Sequence, residues 1–108
     1  MARILYKPQA VVDIENHALW LVFEVSQGIS KKFLDSLDAT VLDLSEMPMV
    51  GRLYQSSNPR LMGIRVWRVA EFENILLIYR PIKGGIELFR VLHGARDIPK
   101  LLGDQEWY

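Results

Sequence analysis

The residues of this chain best equipped for chemistry sit near its end, where "VLHGARDI" places His93 and Gly94 beside Arg96 and Asp97. An imidazole, a guanidinium and a carboxylate this close together are groups that take a proton, give one, and steady a negative charge, so the cluster either does chemistry or only finishes the fold. Each residue also has a structural reading. His93 stands at a strand end, where an imidazole commonly hydrogen-bonds backbone carbonyls, and this role is the expectation for it; Arg96 and Asp97 pair locally, or Asp97 caps a final turn. Four arginines, Arg65, Arg68, Arg80 and Arg90, stand among apolar neighbours in strand-like runs. They are either solvated edge charges or groups that meet a partner's carboxylates. Trp107 and Tyr108 likewise either dock on the core or anchor an interface.

Composition narrows the chemistry. Without cysteine there is no disulfide, no thiolate nucleophile and no Cys-ligated zinc, which suits a reducing cytoplasm. His17 and His93, far apart in sequence, supply a histidine metal site poorly, so no metal and no cofactor is expected. Gly84 and Gly85 read as hairpin-turn residues, because "GGI" lacks the GxGxxG spacing and helix start of a phosphate loop. No apolar run approaches the roughly 18 to 20 residues of a membrane span, and Pro8 comes too early for a signal-peptide core. Residues 1–49 carry four Lys/Arg against seven Asp/Glu, whereas residues 50–100 carry nine against four. A net charge of zero argues against a protein that grips nucleic-acid phosphates, while a basic second half leaves room for an acidic partner.

The elements that must position these groups follow from periodicity. "RILYK" predicts a short strand and Pro8 a helix start near Gln9. Val11, Ile14, Ala18, Leu21 and Val25 recur at helical steps, and Leu19, Trp20, Val22 and Phe23 widen the apolar arc, which predicts a largely buried helix. Gly28 is expected to end it in a left-handed cap and Ser30 to start the next. In that second helix Phe33, Leu37, Val41 and Leu44 face inward, Lys31, Asp35, Asp38 and Asp43 face water, and Pro48 closes it. "GRLYQSSNPR" reads as a loop, and "LMGIRVWRV", "ILLIYR" and "IELFRVL" as three strands joined by short turns.

The result is one domain over residues 1–108, α+β in class. Its order is β-α-α-β-β-β, with a helical hairpin packed on a small antiparallel sheet. Alternation sets Leu76, Ile78 and Arg80 on one face of the middle strand and Ile75, Leu77 and Tyr79 on the other. The hairpin covers one face, and little chain remains to cover the second beyond "DIPKLLGDQEWY". The Leu76, Ile78 and Arg80 face, with Arg90 and Arg65 nearby, is therefore expected to be a partner's docking site.

"NPRLMGIRVWRV", "ENILLIYRP" and above all "GGIELFRVLHGARDI" resemble the ParE-type toxins of the RelE/ParE superfamily, and "KPQAVVDIENHALW" and "LSEMPMVGR" fit the same pattern, so the likeness covers nearly the whole chain. The resemblance implies a RelE/ParE-like fold, a cognate ParD-like antitoxin wrapped over the toxin in a hetero-oligomer, and DNA gyrase as target. Relatives that cleave messenger RNA on the ribosome place a basic residue in the strand read here as "ILLIY", and an Arg-rich stretch and a Tyr after the last strand. This chain has Leu76, Gly94 with Ala95, and Ile98 at those places. The resemblance thus implies a gyrase-inhibiting, non-enzymatic toxin of the cytoplasm; the alternatives are a ribosome-dependent RNA-cleaving toxin and a decayed toxin that keeps only antitoxin binding.

Overall fold

A computed structural model describes residues 2–94 and 98–103. In chain order it contains β1 (Arg3–Tyr6), α1 (Pro8–Glu24), α2 (Gln27–Glu46), β2 (Arg52–Leu53), a 3-10 turn (Pro59–Leu61), β3 (Arg65–Val69), β4 (Phe72–Ile82), β5 (Gly85–His93) and the short α3 (Ile98–Leu101). Among the described residues, no helix is long and apolar enough to cross a membrane.

Pro8 opens α1, where its missing N–H is no loss. The turn to α2 differs from expectation. Ser26 caps α2, its hydroxyl accepting from the Ile29 N–H at 3.0 Å, and Gly28 falls in the first turn of α2 rather than at a left-handed cap. Ser26 starts the helix because its side chain reaches an N–H that has no partner within the helix. Ser30 is buried one turn further on, and its hydroxyl donates to the Ala18 carbonyl at 2.7 Å, fastening α2 to α1. The predicted inner stripe of α2 holds: Phe33, Leu37, Val41 and Leu44 are all buried. The reading of α1 as largely buried does not. Only Ala10, Asp13 and Leu21 are buried along it, while Val11, Val12, Leu19, Trp20 and Phe23 face outward. An apolar arc can be wider than the surface available to cover it, and here α2 and β5 meet α1 along one face only.

The sheet order is β1-β5-β4-β3-β2. The expected antiparallel meander is β3-β4-β5. At one edge the short β2 emerges from the segment read as loop, and at the other β1 runs parallel to β5, so the sheet is mixed. Gly85 opens β5 opposite Arg3, where a Cβ would overlap the Arg3 backbone, so the parallel pair requires glycine there. In the β4–β5 ladder Ile78 faces Arg90 and Tyr79 faces Leu88, which leaves Phe89 as the extra residue of a bulge.

Two cores result. The larger lies between sheet and helices, where Phe33, Leu37, Val41 and Leu44 meet Leu77, Tyr79, Ile86, Leu88 and Val91. The smaller occupies the opposite sheet face and corrects the expectation that this face is open. Leu61, Ile64, Val66, Ile78, Leu92 and Ile98 form it, with Leu76 and Phe89 packed against them, and Ile78 is 0% exposed. The 3-10 turn and α3 supply the cover, through single apolar residues in segments that have no periodicity of their own.

Candidate functional site

Three of the four strand arginines fasten other segments of the chain to the sheet. On β3, Arg65 donates to the carbonyls of Met49 at 3.2 Å and Gly51 at 2.7 Å. The buried Tyr79 hydroxyl strengthens this clamp, donating to the Pro48 carbonyl at 2.8 Å and accepting from the Gly51 N–H at 2.9 Å. Burial pushes the Tyr79 hydroxyl above its ordinary pKa of 10.0, with the Gly51 N–H and the Arg65 charge pulling part of the way back. Arg80 donates to the Met62 and Arg60 carbonyls at 3.2 and 2.6 Å, holding the 3-10 turn against β4. Arg90 forks onto both carboxylate oxygens of Asp13 at 2.7 and 3.1 Å, and reaches the Leu101 carbonyl at 3.1 Å. Arg68 is exposed and makes no hydrogen bond or ion pair among the described residues.

Asp13 has a second task that sequence reasoning missed. β1 ends at Tyr6, which would leave the outer edge of β5 unpaired beyond Leu88. There α1 supplies side chains in place of a strand: Asp13 accepts the Val91 N–H at 2.9 Å, and four residues on, His17 Nε2 donates to the Val91 carbonyl at 2.9 Å. The signal was available in "DIENH", where two polar residues at i and i+4 interrupt the inner face of an otherwise apolar helix. The His93 ring, by contrast, is exposed and has no hydrogen bond among the described residues; its centroid lies 6.4 Å from that of His17. The expectation of a carbonyl-bonded histidine belongs to His17. Gly94 turns the chain at a left-handed φ of 78° and donates its N–H to the Asn74 carbonyl. Arg96, Asp97, Trp107 and Tyr108 lie outside the described residues.

Beside the smaller core runs an open groove of about 750 Å³. Its cations are Lys7, Arg60, Arg80 and Arg90, and its apolar walls come from Leu61, Met62, Phe89, Leu101 and Leu102. The bulge turns Phe89 toward this groove, where its ring lies 4.7 Å from the Arg80 guanidinium carbon and 5.5 Å from the Lys7 ammonium. Among the described residues no histidine, carboxylate or hydroxyl lines it, and what they offer there is charge and apolar contact. The structure thus keeps Arg80 and Arg90 of the expected surface, buries Ile78, half-buries Leu76, and commits Arg65 to the clamp on Met49 and Gly51. A smaller pocket of about 270 Å³ brings His17 and His93 together with Trp20, Glu71 and Glu73.

An α+β chain with a helical hairpin on one face of a five-stranded mixed sheet is a fold found among solved structures. One similar structure is the "Chromosomal ParDE TA system from P. aeruginosa", with a TM-score of 0.69 and 16% sequence identity, covering 88% of this chain and 98% of that one. The chain belongs to the family described as "ParE toxin of type II toxin-antitoxin system, parDE", whose model matches residues 4–98. Among curated proteins none matches.

Proposed function

We propose that this ParE toxin acts without catalysis, by binding DNA gyrase and trapping it on cleaved DNA, and that a cognate antitoxin neutralises it by direct binding. The observation that carries the non-enzymatic reading is the filling of the sheet face opposite the helices. A ribonuclease of this superfamily needs cations and a phenol there, and this chain has Leu76 and Ile98 packed into an apolar core. Among the described residues that line the adjoining groove there is no proton-transfer group. Family membership and the ParDE likeness support the two-component system, and gyrase is the target that the ParE resemblance implies.

Purified protein added to a supercoiling reaction should inhibit gyrase and leave linear or nicked DNA, while messages on translating ribosomes stay intact. Site-specific cuts within codons of translated RNA would replace this reading with a ribosome-dependent nuclease. If neither effect appears but the antitoxin still binds, the chain is a decayed toxin.

A further inference from the structure

We propose that the pocket between α1, the β3–β4 turn and the end of β5 binds an alkylguanidinium ion, either free or carried as an arginine side chain. The buried Leu21 and Ile75 give it an apolar floor, and Trp20, Phe72, His17 and His93 supply ring surface around them. Glu71, Glu73 and Asn74 complete the lining, in which no lysine or arginine stands among the described residues. Carboxylates, an amide oxygen and neutral imidazoles all accept hydrogen bonds. A ligand complementary to this lining brings donors, a positive charge and a short apolar stem.

The rim is built in advance. Glu71 holds a left-handed φ of 67°, a conformation that residues other than glycine adopt only at a cost. Its carboxylate lies 3.3 Å from the Lys32 ammonium and accepts from the Ser36 hydroxyl at 3.4 Å, which fastens the turn to α2 before any ligand arrives. Lys32 offsets Glu71, while Glu73 makes no hydrogen bond or ion pair among the described residues, so about one negative charge is left for a ligand. That count suits a monocation. A divalent metal would need a third ligand, and no three described His, Asp or Glu side chains are grouped to hold one. Phosphates and carboxylates would meet like charge at the rim. A volume of about 270 Å³ suits a group the size of a side chain rather than a nucleotide. A guanidinium is favoured over an ammonium because it is planar and weakly hydrated, so it can stack on the 57% exposed Trp20 while directing N–H groups to Glu73 and Asn74.

The test titrates propylguanidine into the purified full chain at fixed ionic strength, following the Trp20 indole N–H and the His93 ring protons by NMR. Propylurea serves as the neutral isostere and Nα-acetylarginine N-methylamide as the side chain in its peptide setting. Propylguanidine should shift both signals saturably and bind about fivefold or more tightly than propylurea. Glu73→Gln and Trp20→Ala alter exposed side chains and should each raise Kd by about fivefold. Glu15→Gln makes the same charge change on α1 outside the pocket and should leave Kd nearly unchanged. Saturation by the blocked arginine as well as by propylguanidine supports the site and assigns it to an arginine of another protein. Saturation by propylguanidine alone supports it as a site for a free guanidine. No saturable shift, equal binding of propylurea, or an equal loss in Glu15→Gln overturns the proposal.

Discussion

At the scale of single residues, the Tyr79 hydroxyl joins α2's exit to the centre of the sheet with one donated and one accepted hydrogen bond, and Gly51 lies so close that any Cβ would overlap the ring. Gly51→Ala should therefore displace the ring or the loop and cost about 1–3 kcal/mol, the usual range for overpacking. Tyr79→Phe should cost a similar amount, about 1–3 kcal/mol, because it leaves the Gly51 N–H and the Pro48 carbonyl without their partner. Urea unfolding at neutral pH measures both, and a Gly51→Ala protein as stable as the parent would show that the loop is not clamped. The same hydroxyl sets an alkaline limit. Its folded pKa lies above 10.0, so the unfolded chain loses this proton first as pH rises. The stability it contributes is complete below pH 10 and is lost as pH climbs through the folded value. Tyr6 is shifted in the same direction, by partial burial and then by Asp38, but it is 42% exposed and contributes less. Stability followed from pH 8 upward should fall more steeply in the parent than in Tyr79→Phe.

Among the elements, α2 carries the clearest division between faces. Leu37→Ala should cost about 2–5 kcal/mol by opening a cavity in the larger core, whereas Asp35→Ala, which removes one exposed pair with Lys31 at 2.9 Å, should leave stability nearly unchanged. Ile78→Asp tests the smaller core. An unpaired carboxylate there should cost several kcal/mol out of the roughly 5–15 kcal/mol available to a domain, enough to unfold much of the protein without any partner present. A folded, soluble Ile78→Asp chain would mean that this face is open after all. The α2 stripe was legible in sequence because twenty residues hold one helical period without a break. The cover of the second face was not, since Leu61, Ile64 and Ile98 are single apolar residues in short irregular segments whose contacts depend on where the chain returns. The same limit hid the groove. Arg80 and Arg90 were visible as candidates, but Lys7, Arg60, Met62 and Leu101 reach them only through folding, and a bulge that turns Phe89 leaves no mark in a two-residue alternation. Asp13 and His17 left a signal of their own, two polar residues at i and i+4 on the inner face of α1, but the identity of their partners, backbone atoms of Val91, is not written in any pattern of side-chain types.

For the molecule as a whole, the meander and the hairpin are assembled from neighbours in sequence, but the last edge is not. β1 pairs with β5, joining Arg3 to Gly85, and the remainder of that edge is closed by Asp13 and His17 on Val91. A chain emerging from a ribosome therefore presents its first strand and both long helices well before their partner strand has been made. Until then the Phe33, Leu37, Val41 and Leu44 stripe has only part of its cover, and Asp13 has neither Arg90 nor Val91 to bind. Long-range pairing of this kind slows folding, because a large loop must close before any contact compensates for it. The timing has a biological meaning for a toxin. Its shape is completed only once β5 has been made, so a partly synthesised toxin lacks the sheet edge on which Arg3, Asp13 and His17 close.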